Sequence, residues 1–183
     1  MIRILGKIPK EVTIACSGGP DSMAALDFLI RGKRHVTVAH FDHGTSHGKD
    51  ARDFIEKFCN DRDISIRVGQ ISRRRENYES PEEYWRNERY RFLKTFSGKV
   101  ITAHHLDDSV EWYLFSALHG KRRVIPYERG NVIRPFLTTQ KEVFVSWCKR
   151  KDVPYMIDPS NSDERFMRSI IRNKILPEAL RVN

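Results

Sequence analysis

The chain has 183 residues, 39% hydrophobic and 31% charged, with a formal net charge of +9. That length holds one sizeable domain with its own core and at most a small appendage. No apolar run approaches the ~18 residues of a membrane span. The first residues, "MIRILGKIPKEV", lack a signal-peptide core and cleavage site, so the expected location is the cytoplasm.

The elements follow in chain order. "EVTIAC" (residues 11 to 16) reads as a β-branched strand, residues 21 to 31 as a helix, and "HVTVAHF" (35 to 41) as a second strand. "KDARDFIEKFCNDRD" carries Phe54, Ile55, Phe58 and Cys59 at helical spacing, and "ISIRVGQI" is a third strand. Ser80 as N-cap and Pro81 at the first position open a helix over 81 to 97. "KVITAHH" is a fourth strand, followed by a helix over 106 to 118 and a loop over 119 to 131. "NVIRPF" gives a short fifth strand, "TQKEVFVSWCKRK" a helix, and residues 163 to 180 a last one. This alternation predicts an α/β fold: a doubly wound, parallel five-stranded sheet with helices on both faces and a C-terminal helix. Residues 1 to 157 form the sheet domain, and 158 to 183 a helical extension of the same compact unit.

Cys16, Cys59 and Cys148 are odd in number, widely spaced and set among apolar residues. They read as reduced core thiols rather than a disulfide framework or a metal site.

Two stretches carry chemistry, and both fall beyond the carboxyl end of a strand, where ligands of such sheets sit. The first is "SGGPDS", Ser17 to Ser22. Gly18 and Gly19 permit backbone angles and an approach that a side chain would block. The helix behind them offers unpaired amides and a positive dipole end, to which Ser17 and Ser22 add hydroxyls. The turn is an anion cradle, and its natural ligand is a phosphate group. It is not the Walker loop, which needs Lys-Ser/Thr after the last glycine, nor the dinucleotide GxGxxG. Asp21 would repel a bare phosphate and therefore implies a cation between them, magnesium by its chemistry. The plainer alternative is a tight turn with Asp21 as a helix cap.

The second stretch is "HHLDDSVE". Asp108 and Glu111 lie three residues apart and share a helix face. His104 and His105 lie at the strand end, where His104 could donate to a phosphate or assist proton transfer. Asp107 reads as a helix N-terminal acid. The basic excess gathers in Arg73 to Arg75, in Lys121, Arg122 and Arg123, in Lys149 to Lys151, and in Arg165, Arg168, Arg172 and Lys174. Four such clusters without matching acidic blocks fit a polyanionic partner, although any one of them alone reads as a solvated surface.

"SGGPDS" resembles the SGGxDS loop of the PP-loop ATP pyrophosphatase superfamily. "HFDHG" (His40 to Gly44), Ser80 with Glu82 or Glu83, Arg86, Arg89 and Tyr90, then "TAHHLDDSVE" and "DPSNSDERFMRSIIRNKILP", resemble in order the motifs of the catalytic domain of tRNA(Ile)-lysidine synthetases. The match covers roughly residues 12 to 177. Asp42 stands for the usual Asn, Trp112 for Thr, Ser169 for Asn and His119 for Arg, and the glycine-rich segment after residue 118 is replaced.

The resemblance implies a Rossmann-like sheet of the adenine nucleotide alpha hydrolase type. It implies a ligase that uses ATP and magnesium to adenylate the wobble cytidine of tRNA(Ile) and joins free lysine to it. On that reading Ser17, Gly18, Gly19, Asp21, Ser22 and His43 bind ATP, and Asp21 holds magnesium. Asp21, His104, Asp108, Glu111 and Arg89 serve the chemistry, with Asp108 and Glu111 also holding the lysine ammonium groups. Arg86, Arg122, Arg123, Arg168 and Arg172 contact the RNA. A tRNA thiolase of the same superfamily would carry CxxC pairs, and none is present. A nucleotide- or RNA-binding protein that kept the fold without the chemistry, or an enzyme using another RNA or amine, stays open.

Overall fold

The computed structural model describes residues 1–157 and 167–181, apart from the side chains of Ser46, His47, Glu82, Met167, Arg168 and Leu180. The elements run β1 (Glu11–Ala15), α1 (Pro20–Arg31), β2 (His35–Asp42), α2 (Ser46–Asn60), β3 (Ile66–Gln70), α3 (Pro81–Leu93), β4 (Val100–Thr102) and α4 (Leu106–Leu118). Then come β5 (Glu128–Arg129), β6 (Val132–Ile133) and α5 (Lys141–Lys151). Helix α6 (Met167–Ile170) continues through a π-helical turn, Ile171–Ile175, into α7 (Leu176–Leu180).

The sheet order is β3-β2-β1-β4-β6-β5. All neighbours pair in parallel except β5 with β6. The five expected parallel strands are therefore present, and the sheet has a sixth, short antiparallel strand from the segment read as a loop. Gly130 in the left-handed region (φ +64) closes that hairpin and sets Arg129 opposite Val132. Two exposed charged residues form β5, so it has no alternating pattern to read.

Side-chain alternation divides the core between the two faces. Ile14, Val38, Ile101 and Ile133 point to one face, against Met23, Leu26 and Leu29 of α1, Ile55 and Phe58 of α2, and Phe144 of α5. Ala39, Val100 and Val132 point to the other, against Leu93 and Phe96. Ser80 caps α3 through its hydroxyl, accepting from the Glu83 amide. That helix stops at Leu93 rather than 97, because Phe96 leaves the helical path to enter the second core. The strand order reverses at β1 and β4, which are direct neighbours. "SGGPDS" leaves the end of β1 and "HHLDD" the end of β4, so the sheet itself places the two stretches side by side.

Candidate active site

The loop after β1 is built by its own serines. Ser22 is buried; its hydroxyl accepts from the Ser17 amide at 3.2 Å and donates to the Gly19 carbonyl at 3.0 Å. Ser22 thus braces the loop from inside, while Ser17 is exposed at its mouth. Gly18 has φ +87, a left-handed conformation that a side chain would strain. Its carbonyl accepts from the Met156 amide at 2.9 Å, a support from the chain after α5 that sequence reading did not find.

Gly19 has an ordinary extended backbone, φ −73, and a Cβ there would meet only Ser17 Oγ at 3.6 Å. The fold does not demand glycine at that position; the open space in front of the α1 amides does. Gly19 is the N-cap of α1 with no side-chain cap, and Pro20 fills the first turn. Asp21 Oδ1 is buried without a hydrogen-bond partner among the described residues. An orphaned carboxylate oxygen beside an anion cradle fits a magnesium ion. Such an ion would be held by Asp21 together with substrate phosphates.

His105 joins this loop to α4. Its imidazole lies 3.6 Å from Asp21 Oδ2, 3.5 Å from Asp108 Oδ2 and 3.6 Å from Asp107 Oδ2. Burial opposes its charge, but the carboxylates of Asp107, Asp21 and Asp108 outweigh it and push the group up to about 10. His105 also caps α4: its amide donates to Asp108 Oδ2 at 3.0 Å. The companion 3.3 Å contact from the Asp108 amide to Nδ1 belongs to the neutral ring and is given up by the imidazolium. Asp107 turns outward from the site and accepts from the Lys141 amide at 2.8 Å, fastening α4 to α5. The sequence favoured His104 over His105, because a charge network between two segments distant in the chain has no linear pattern.

Beyond His105 opens a cleft of about 400 Å³, lined by Asp108, Glu111 and Trp112 of α4, His104, Arg86 and Tyr90 of α3, Arg172, and the 123–134 segment. The structure therefore brings Asp108, Glu111, His104, Arg86, Arg123 and Arg172 to one place. Glu111 is buried, and its Oε2 receives both Nε and Nη2 of Arg172 at 2.8 Å. Arg172 projects from the π-helical turn, the kind of irregularity that recurs at functional sites. Its guanidinium partly satisfies Glu111 instead of lying free on the surface.

The back wall is cationic. Arg134 is 2% exposed, donates to the Pro126 carbonyl at 2.8 Å and the Tyr90 hydroxyl at 2.9 Å, and leaves Nε without a partner among the described residues. Arg86, which lines the cleft, and Arg89, expected among the catalytic residues but not lining it, sit 4.8 and 5.8 Å from the Tyr90 ring centre. None of the three forms an ion pair among the described residues. Burial, with Arg89, Arg134 and Arg86 behind it, pulls the His104 imidazole down to about 3, so it is neutral. Its Nδ1 pairs with Thr102 Oγ1 at 2.7 Å. Burial raises the Tyr90 hydroxyl, but Arg134 above all overrides this and lowers it. Arg134 was not singled out from sequence, where "NVIRPF" reads only as a short strand.

Other expected residues lie elsewhere. His43 packs beside Phe41 and Trp85 at the end of β2 and does not line the cleft. Asp42 accepts from the Gly44 amide at 2.8 Å, a turn that Asn would make equally well. Arg122 is exposed outside the cleft, and the side chain of Arg168 lies outside the described residues. Arg73 is consumed by Glu79 and Glu88, and Arg75 donates to the Glu79 carbonyl, so this first basic cluster is largely internal structure.

The PP-loop domain profile matches residues 4–179. The chain belongs to the PP-loop domain family. Within it, the chain is 30% identical over 185 residues to a tRNA(Ile)-lysidine synthase of Thermotoga sp. (strain RQ2), covering 92% of this chain and 45% of that protein. It is 31% identical to the tRNA(Ile)-lysidine synthase of Bacillus subtilis (strain 168), covering 91% and 40%. This PP-loop chain thus spans less than half the length of these curated relatives. Among solved structures, the NH3-dependent NAD synthetase from Campylobacter jejuni aligns with TM-score 0.56 at 15% identity, covering 96% of this chain and 74% of that one, a likeness of fold alone.

Proposed function

We propose that this PP-loop protein is an ATP-dependent, tRNA-modifying ligase that adenylates a cytidine and joins lysine to it, forming lysidine. The carrying observation is that Asp21 of the glycine loop and Asp108 of α4 meet on one buried imidazole, His105, at 3.6 and 3.5 Å. A nucleotide-activating loop and an amine-binding wall are thereby parts of one site.

In this reading the loop amides and Ser17 hold the ATP phosphates, and Asp21 holds the magnesium that offsets their charge. The carbonyl oxygen at carbon 2 of the cytosine attacks the α-phosphate, and pyrophosphate leaves. The ε-amine of lysine, its ammonium proton given up to solvent, then attacks carbon 2, and the carbon–oxygen bond breaks to release AMP. The arginine wall supports anionic groups, while Asp108 and Glu111, the latter shared with Arg172, take the ammonium groups. Neutral His104 can accept or donate a hydrogen bond in the cleft without adding charge.

The test is incubation of the protein with ATP, magnesium, labelled lysine and tRNA, followed by mass analysis of the nucleosides. Lysine attached to cytidine, together with AMP and pyrophosphate, is the expected product. Incorporation of a different amine would retain the loop assignment and overturn the lysine assignment. ATP turnover at an unchanged rate in Asp21→Asn would overturn the loop assignment itself.

A further inference from the structure

We propose that Arg172 guards the amine site: in the empty cleft its guanidinium stands on Glu111 in the place of a substrate ammonium group. The site then admits amines that carry two cationic groups and excludes those that carry one. The inference deepens the lysine reading above and rests on it for the identity of the amine. It starts from an unequal pair of carboxylates. Asp108 and Glu111 lie three residues apart on α4 and line the same cleft. The Asp108 side chain is 27% exposed, whereas that of Glu111 is 7% exposed and lies behind Arg172, itself 34% exposed. One carboxylate is open to the cleft, and the other is occupied.

The occupant makes a charge-assisted contact. Arg172 Nε and Nη2 both meet Glu111 Oε2 at 2.8 Å. A carboxylate at this depth needs a cation, because an uncompensated buried charge is strongly destabilising. An amine site built on Glu111 therefore requires a resident cation for as long as no substrate is bound, and Arg172 supplies it.

The backbone allows the side chain to leave. Ile171 and Leu176, 1% and 4% exposed, anchor the π-helical turn on either side of Arg172, and the Leu176 amide donates to the Ile171 carbonyl. Apolar packing and the turn's own hydrogen bond hold the helix, so Arg172 can swing away without unfolding it. Arg73 is built differently. Its two glutamates also accept from Arg91 and from the Ser72 and Glu76 amides, a network that no single rotation opens.

An amine entering the cleft meets the open carboxylate of Asp108 first. A second cation on the same molecule then reaches Glu111 and displaces the guanidinium, since two cations on one carboxylate repel each other. An amine with a single charge occupies Asp108 alone and leaves Arg172 in place. Lysine has both ammonium groups; norleucine lacks the ε one and 6-aminohexanoate lacks the α one.

The test is equilibrium binding of lysine, norleucine and 6-aminohexanoate to the full chain, with no ATP or RNA present, at about pH 8 to keep an uncovered Glu111 ionised. Wild type should bind lysine and neither of the others. In Arg172→Ala, lysine binds about 10- to 100-fold tighter, the effect of one charged hydrogen bond no longer contested, and a singly charged amine now competes with it. Arg172→Gln keeps a neutral donor for Glu111, so it relaxes selectivity in the same way with a smaller gain in affinity, and it serves should the alanine variant fail to fold. Lysine bound no tighter by the folded variants, with norleucine and 6-aminohexanoate still excluded, overturns the guard and leaves the lysine reading standing. Weaker lysine binding in them also overturns it, making Arg172 a partner that holds Glu111 for the amine. Absence of lysine binding by wild type and variants alike overturns both.

Discussion

Two arginine clusters border α3, one on the side of Glu88 and Arg91 and the other on the side of Arg86, Arg89 and Tyr90, and they behave differently. At Arg73 the charge is closed. The guanidinium meets Glu79 at 2.6 and 2.7 Å and Glu88 at 3.0 Å, and Arg91 completes the set on Glu88 at 2.8 Å. Glu79 is drawn down to about 2, chiefly by its bonds from Arg73. At Arg134 the charge is open. A fully buried guanidinium faces a tyrosine and a carbonyl, with Arg86 and Arg89 close by and no carboxylate among the described residues. The first arrangement folds the chain. The second holds a positive potential that no ion pair among the described residues answers, and it adds to the burial that lowers His104 beside it. An arginine cluster becomes a candidate site when its partners are missing, not when its arginines are numerous.

The comparison can be broken in several ways, and the largest effect concerns catalysis. Arg134→Met removes the open charge; lysine incorporation should fall by at least 100-fold, while thermal unfolding shifts by no more than a few degrees. An uncompensated buried ion contributes little net stability and is often replaced by an apolar side chain at little or no loss. A large drop in Tm with activity retained would make Arg134 a structural residue like Arg73. The converse experiment is Glu88→Gln. The change weakens the bonds that Glu88 accepts from Arg73, Arg91 and the Ser72 amide and hydroxyl, while Arg73 keeps Glu79, and should cost about 2 kcal/mol, or a Tm lower by roughly 4–8 °C, with kcat per folded molecule unchanged.

RNA binding distinguishes the clusters more gently. Arg123→Glu in the cleft should flatten the salt slope by about 0.7–0.9, whereas Arg73→Gln should leave the slope unchanged after correction for folded fraction. Equal slopes for the two variants would erase the distinction.

A separate expected effect is on pH dependence. The His105 imidazole has its folded value raised from about 6.5 to about 10 by Asp107, Asp21 and Asp108. Its stabilisation is therefore fully present below about pH 6.5 and is lost as pH rises through 10. Thermal melts of wild type and His105→Gln should converge between those limits. A constant difference across that range would show that the imidazole is neutral in the folded protein.

The legible part of the fold is the part that repeats. β-Branched runs located β1, β2 and β3, and Ser80-Pro81 located the start of α3 to the residue. The alternation of strand and helix ordered the parallel sheet. β5 was illegible because two charged residues make a strand only through the Gly130 hairpin. Of the site, "SGGPDS" and the Asp108–Glu111 pair could be read from residue type and spacing. His105 as the junction, Ser22 as an internal brace, Met156 as the support of Gly18 and Arg172 as the partner of Glu111 could not.

The sequence by itself determined the glycine loop, its place at a strand end and the carboxylates of α4, because each depends on neighbours a few residues away. Tertiary structure alone decided which charges are answered. Arg73 finds Glu79 and Glu88, His105 finds three carboxylates from two loops, and Arg134 finds none among the described residues. Coulombic interactions depend on distance through space and on exclusion of water, and neither is set by separation along the chain.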